Sequence, residues 1–289
     1  MNQQTRPSPF LLLSPDGMLG RAFVALLRTR DIPFTGVSYP DFNIASAADI
    51  GRVVGDEFRV VINCCAFTDV DGAETREAEA HAVNAEGVRL LAARCRQTGA
   101  VLVHYSTDYV FDGKATEPYP VDAPRRPQNA YGRTKAEGEE SLVASGCEHL
   151  LIRTSWLYAP WGKNFVNTIA RASMSRPVLR VVADQYGRPT SAEYLAERSL
   201  GLLDAGATGI YHVTDGGACT WFDFARAIVK GVDGPARVDA CTTAEYPLPA
   251  YRPAYSVLDL AATDGLIGPS RPWEFNLADV LRARAAAGD

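Results

Sequence analysis

Histidine is scarce in this chain, with four among 289 residues, and none has the spacing of a metal-ligand set. The six cysteines, at 64, 65, 95, 147, 219 and 241, form no CxxC pair, and the adjacent Cys64 and Cys65 are badly placed to bridge each other. They read as reduced, mostly buried thiols of a cytoplasmic protein rather than a disulfide framework or a metal cluster. Long hydrophobic runs are missing too, which excludes a membrane-spanning helix. The opening MNQQTRPSPFLLL has an apolar core too short for a secretory signal. Charge of one sign never accumulates: 29 Lys and Arg stand against 34 Asp and Glu, a formal charge of -5. That balance, with no basic run, argues against a nucleic-acid partner. No internal repeat or low-complexity stretch is present.

What the chain does contain is an alternation. With 47% hydrophobic and 22% charged residues it can bury a large core, in one domain or in two closely joined ones. Apolar stretches read as strands at 10–14, 34–38, 59–66, 100–107 and 148–155, and helical patterns fall between them at 17–30, 46–55, 75–99 and 129–146. Ser46 stands as an N-cap and Gly99 as a helix stop. Near-continuous apolar strands separated by helices predict an α/β fold, a doubly wound parallel sheet of Rossmann type. After about residue 155 proline and aromatic residues cluster, as in SWLYAPWGKNF and AEYPLPAYRPAYS. The reading is a dinucleotide-binding domain over 1–155 and a smaller, loop-rich, mainly substrate-binding part over 156–289. A later strand near 209–215 returns to the sheet, and 220–232 forms an amphipathic helix.

Two stretches carry chemistry. In SPDGMLG (14–20), Gly17 and Gly20 fill two of the three places of a phosphate-binding turn, one for backbone approach to a pyrophosphate and one for close helix packing. Ser14 and Pro15 stand where such a turn opens with glycine; Pro15 biases Ser14 towards extended backbone and offers no N–H. Taken alone, the turn serves packing as readily as a cofactor. In YGRTK, Tyr131 and Lys135 lie four residues apart on a helix, so they share a face. An ammonium beside a phenol favours the phenolate, and the pair becomes an acid–base unit near neutrality. An isolated pair of this kind is more often two solvated side chains. Here Ser106 and Thr107 end a strand about 25 residues earlier, where catalytic hydroxyls gather in this architecture. A hydroxyl, a tyrosine and a lysine in that order form the short-chain dehydrogenase/reductase constellation.

The motifs DGMLGRA (16–22), VINCCAFTDVDGAE (61–74), VHYSTDYVFDG (103–113), PQNAYGRTKAEGE (127–139), LIRTSWLYA (151–159), DQYGRPTSA (184–192) and RPAYSVLD (252–259) run in order through nearly the whole chain. On these the chain resembles the dTDP-4-dehydrorhamnose reductases, extended short-chain dehydrogenase/reductases acting on nucleotide sugars. The resemblance implies reduction of the C4 ketone of dTDP-4-dehydrorhamnose to dTDP-L-rhamnose with NADPH or NADH. It implies Tyr131 as the acid, Lys135 as its partner on the nicotinamide ribose, and Thr107 as the hydroxyl on the carbonyl. It places Gly17, Met18 and Leu19 at the pyrophosphate, Asp41 and Phe42 by the adenosine, and Ala66, Phe67 and Thr68 along the middle of the cofactor. It sets Thr107, Asp108 and Trp156 on the sugar nucleotide. Asn84 reads as a brace for the central helix, and Tyr186, Arg188 and Arg252 as either substrate contacts or loop-shaping residues. Three departures stand out: Ser14-Pro15 in the turn, Cys64-Cys65 where alanines are common, and Phe67 where tyrosine is common. Some members hold magnesium at a subunit contact; those ligands do not map onto this chain, so the sequence assigns no metal. Members often form homodimers, but no interface is legible. Two alternatives remain: another nucleotide-linked 4-keto-deoxy sugar, or a non-catalytic nucleotide-binding subunit resembling the regulatory subunit of methionine adenosyltransferase.

Overall fold

Alternate residues of the first strand go to opposite sides of a sheet, and that period sets the architecture. In β1 (Phe10–Leu13), Phe10 and Leu12 join one core cluster while Leu11 and Leu13 join another. The strands β2 (Phe34–Val37), β3 (Val60–Asn63), β4 (Val101–Thr107) and β5 (His149–Thr154) follow. β3, β4 and β5 divide their apolar residues between the same two clusters, as strands buried on both faces must. The computed structural model describes residues 9–288; most of the N-terminal stretch judged too short for a signal lies outside them.

Helices cover both faces. α1 (Met18–Thr29) packs on one side through Leu19, Phe23 and Leu27. On the other side lie α2 (Ala47–Val53), capped by the Ser46 side chain as predicted, and the helix expected over 75–99. That helix is preceded by a short turn, α3 (Val70–Ala73), and runs as α4 (Glu77–His81), a π-helical turn at Ala82–Glu86, and α5 (Gly87–Thr98). The helix α6 (Ala130–Ala144) follows β4.

Beyond residue 155 come β6 (Leu157–Tyr158), α7 (Phe165–Ser175), β7 (Val178–Val182), β8 (Tyr186–Gly187), β9 (Thr190–Ser191) and α8 (Ala192–Asp204). Then follow β10 (Gly209–His212), β11 (Cys219–Thr220), α9 (Trp221–Gly231), β12 (Arg237–Cys241), α10 (Ala261–Ile267) and α11 (Trp273–Ala286). This segment holds more helix than its proline and aromatic content suggested. α8 packs on α1 and belongs to the sheet's first cluster, through Leu195, Ala196, Leu200 and Leu202. β10 pairs in parallel with β5, so the returning strand is there. β7 and β12 pair with each other, and α7, α9 and α11 enclose a third core around Tyr158, Phe224 and Trp273.

The main sheet is parallel throughout and ordered β10-β5-β4-β3-β1-β2. The chain moves outward from β1 to β2 and then crosses to β3 on the other side of β1. That reversal opens a crevice at the carboxyl ends of the strands, where this fold binds ligands. No helix among the described residues is long and apolar enough to cross a membrane.

Candidate active site

The crevice holds a cavity of about 500 Å³. The turn after β1 forms one wall. Ser14 adopts φ of +62°, a left-handed bend that glycine makes without strain, so the extended geometry expected before Pro15 is overridden. The Ser14 N–H donates to the Val37 carbonyl at 2.8 Å and anchors the turn to β2. Gly20 is required at close quarters: a Cβ there would sit 1.9 Å from the Ser14 carbonyl oxygen. α1 starts at Met18 with Gly17 as N-cap, without a side-chain cap among the described residues. Its first-turn amides and positive dipole end therefore face the crevice free to bind an anion. The Trp161 indole N–H reaches the Met18 carbonyl at 3.1 Å and closes the loop after β6 onto the turn.

The end of β3 forms the next wall. The Asn63 carboxamide accepts from the Cys65 N–H at 3.0 Å and shapes that turn. Cys64 and Cys65 both line the cavity, and burial pushes both thiols up, Cys65 to about 12. Both thiols therefore stay protonated near neutral pH, the less nucleophilic form. Asn84, in the π-helical turn, accepts from the Phe67 N–H at 2.9 Å and donates to the Phe67 carbonyl and the Thr134 hydroxyl. It braces the loop after β3 against α6.

β4 and α6 bring in the reacting groups. Thr107, the last residue of β4, donates to an Asp108 carboxylate oxygen at 2.9 Å. Burial raises Asp108 to about 6, and its second oxygen has no partner among the described residues. The Ser106 hydroxyl, also buried in the cavity wall, is likewise unpartnered there. The Asn129 side chain caps α6, which places Tyr131 in the first turn and Lys135 one turn on. Lys135 is 2% exposed and donates through Nζ to the Tyr105 carbonyl at 2.5 Å. Burial lowers it to about 8, with Glu139 pulling the other way. Tyr131 moves opposite to the sequence expectation: its phenol is held well above its ordinary value. Burial is the main cause and the Asp108 charge adds to it, while the Thr107 hydroxyl opposes. Desolvation dominates, so Tyr131 keeps its proton.

Trp156 closes the far side. Its φ is +48°, and its indole stacks on Trp221 with ring centroids 3.6 Å apart. Gly187 makes room, since a Cβ there would come 2.5 Å from the indole. Trp221, the first residue of α9, lines both this cavity and an adjoining apolar groove of about 900 Å³. Tyr109, packed edge-on to Tyr131, also lines both. Sequence reading missed Trp221; its one signal was a capping box at Thr220 and Asp223 that sets an aromatic at a helix start.

Of the residues singled out from sequence, Gly17, Met18, Leu19, Ala66, Thr68, Thr107, Asp108, Tyr131, Lys135 and Trp156 line one cavity. Asp41, Phe42 and Phe67 do not. Asp41 is exposed and its carbonyl accepts from Arg52. Phe42 is 2% exposed, turned into the core beneath β1 and β3, so its ring cannot lie against an adenosine. The Phe67 ring packs behind Tyr131 against Ala73, Ala80 and Ala130, under the Arg76 guanidinium. Tyr186 is exposed, and the Arg188 carbonyl accepts from the Ser155 hydroxyl. Arg252 lines the groove and pairs with Asp71 at 2.9 Å. Among the described residues no three His, Cys, Asp or Glu side chains group to hold a metal ion.

This cavity fits a nicotinamide dinucleotide: an uncapped helix start at Gly17, held close to the first strand by the packing of Gly20 on Ser14, and unpartnered Ser106 and Asp108 oxygens lie along one crevice. A family profile described as the RmlD substrate binding domain matches residues 10–285. A dTDP-4-dehydrorhamnose reductase from Streptomyces griseus is 40% identical over 98% of this chain and 96% of its own. A probable dTDP-4,6-dihydroxy-2-methyloxan-3-one 4-ketoreductase from Streptomyces antibioticus is 38% identical over 94% of each chain. A crystal structure of dTDP-4-dehydrorhamnose reductase from Bacillus anthracis, in complex with NADP, superposes with a TM-score of 0.92. It is 31% identical and covers 96% of this chain and 100% of that one.

Proposed function

Because the chain belongs to the RmlD substrate-binding-domain family, we propose that it is an NAD(P)H-dependent oxidoreductase that reduces the C4 ketone of dTDP-4-dehydrorhamnose to dTDP-L-rhamnose. One observation carries the reading: Thr107, Tyr131 and Lys135 face a single cavity together with the phosphate-binding turn. The nicotinamide cofactor, when bound, supplies the hydride.

The chain's own residues supply the rest. Tyr131, kept protonated by burial, offers its proton to the ketone oxygen as negative charge develops there. Thr107 directs its hydroxyl at the same oxygen and orients the sugar. Lys135 holds the ribose next to the nicotinamide and, as an ammonium, favours the phenolate that the transfer leaves behind. Asp108 anchors Thr107 and offers its free oxygen to a sugar hydroxyl. Trp156 lays an apolar face along the ring, and the adjoining groove receives the nucleotide.

A second reading keeps this chemistry and changes the sugar. It is favoured by the S. antibioticus relative, which is named as a probable 4-ketoreductase of a different dTDP-linked ketone. The regulatory-subunit alternative rested on the altered glycine turn. Ser14 makes the left-handed bend that a glycine would make, so the turn offers that alternative no ground.

The test is turnover. Purified protein given dTDP-4-dehydrorhamnose should consume reduced nicotinamide. Tyr131→Phe should lower kcat by about 10²–10⁴-fold and leave cofactor affinity unchanged. A Phe variant as fast as the parent would remove Tyr131 from the chemistry. Faster turnover of another dTDP- or UDP-linked 4-keto sugar would select the second reading.

A further inference from the structure

Outside the crevice lies a smaller, polar cavity of about 290 Å³, lined by Gly162, Lys163, Asn167, Arg171 and Arg284. Its charged residues are all cations. Asn167 and Arg171 stand one turn apart on α7, so they share a face. Arg284 comes from the last turn of α11, and Lys163 from the loop between β6 and α7. Asn167, Arg171 and Arg284 line neither the active-site cavity nor the apolar groove, whereas Lys163 also lines the active-site cavity.

Neighbouring charges are spoken for, as Arg282 of α11 is by Asp279. Lys163, Arg171 and Arg284 form no ion pair among the described residues. Like charges gathered at one cavity repel until an anion joins them. Arg171 donates through Nε to the Asn167 carbonyl at 3.2 Å, which steadies its guanidinium and leaves both Nη groups to a ligand. Arg284 offsets the negative end of α11, yet its buried Nε has no partner among the described residues.

A second observation is independent of charge. Asn167 is 6% exposed, and its Nδ2 donates to the carbonyls of Gly162 at 3.0 Å, Ala159 at 3.3 Å and Pro160 at 3.4 Å. Turning the amide over would set its oxygen against those three carbonyls, so its orientation is fixed. Asn167 Oδ1 is then a buried acceptor without a donor among the described residues, a costly state unless something satisfies it. The cavity calls for a ligand that carries a strong anion and an O–H donor together.

We propose that this cavity is a second binding site, for a phosphate monoester of monosaccharide size. The Arg171 and Arg284 guanidinium groups and the Lys163 ammonium hold the phosphate, whose geometry suits the planar guanidinium fork. A sugar hydroxyl donates to Asn167 Oδ1. The volume is at the small end of ligand cavities, suited to one sugar ring and its phosphate and not to a dinucleotide. The site goes beyond the reductase reading and does not depend on it.

The experiment is isothermal titration calorimetry of the full chain with glucose 6-phosphate, inorganic phosphate and glucose. The parent should bind glucose 6-phosphate with a submillimolar Kd, inorganic phosphate at least about threefold more weakly, and glucose not at all. Arg171→Gln and Arg284→Gln should each weaken glucose 6-phosphate at least about tenfold, roughly 1.4 kcal/mol, and Arg284→Lys should recover part of that loss. Raising salt should weaken binding by the parent more than by either Gln variant. Neither arginine belongs to the core, so both Gln variants should melt with the parent. Absence of binding at millimolar glucose 6-phosphate overturns the inference. Inorganic phosphate bound as tightly as the sugar phosphate makes the cavity an adventitious ion site only and overturns it too. Binding indifferent to both Gln variants puts the ligand in the nucleotide crevice, which overturns the second site and leaves the reductase standing.

Discussion

Lys135 carries an ammonium group into a site where only a carbonyl at 2.5 Å and a more distant Glu139 favour its charge. Burial wins, and the group titrates at about 8 rather than at its ordinary 10.5. The sign for stability follows: between those two values the unfolded chain holds the extra proton, so this lysine makes folding more favourable as pH rises from about 8 to 10.5. Its effect on turnover runs the other way, because the ammonium is the working form. The kcat/KM profile should fall on the alkaline side with an apparent pKa near 8. Lys135→Met should abolish that limb, slow reduction at neutral pH, and leave the folded state no less stable in urea. An alkaline limb that survives in the Met variant would assign it to another group. Sequence spacing was enough to put Tyr131 and Lys135 on one face, since helical geometry is local. It could not tell which way Tyr131 shifts, because desolvation depends on what covers the phenol: Thr107, Asp108 and Tyr109 from another strand end.

Among the elements, the strand–turn–helix opening is the tightest joint. The first turn of α1 lies against the Ser14 carbonyl so closely that Gly20 has no room for a methyl group. Gly20→Ala must push backbone against backbone, so it should cost about 1–3 kcal/mol in chemical denaturation. It should also weaken cofactor binding, since it displaces the amides that face the pyrophosphate. Unchanged stability would mean that the helix slides away freely. The first-half elements were legible because their apolar residues keep a clear period and their caps, Ser46 and Gly99, are conventional. The π-helical turn at Ala82–Glu86 left no such trace, as its register change serves the Asn84 contacts with Phe67 and Thr134. α7 keeps an apolar stripe, with Val166, Ile169 and Ala170 buried, but it lies between proline- and aromatic-rich loops, and that surrounding composition suggested loop instead.

At the scale of the molecule, one buried ion pair joins the helix of the catalytic tyrosine to β5, the strand next to the sheet edge formed by β10. Glu139 of α6, 0% exposed, receives two hydrogen bonds from Arg153 of β5 at 2.7 and 2.9 Å. Arg153 also reaches His212 of β10 and the Val121 carbonyl. Glu139→Gln would strand the guanidinium without its countercharge and should cost about 3–5 kcal/mol. At roughly 2–4 °C per kcal/mol, the melting temperature should drop by about 6–20 °C. A change within error in calorimetry would show that the Gln carboxamide and water satisfy the guanidinium without the charge. The alternation of elements, the two faces of the sheet and the shared face of Tyr131 and Lys135 were determined by the sequence alone, since each follows from periodicity within a short stretch. The gathering of Lys163, Arg171 and Arg284 at one cavity, the stacking of Trp221 on Trp156 and the inward turn of Phe42 were decided only in the tertiary structure. Each depends on which distant segments the parallel pairing and the crossovers set side by side, and short-range spacing does not encode that adjacency.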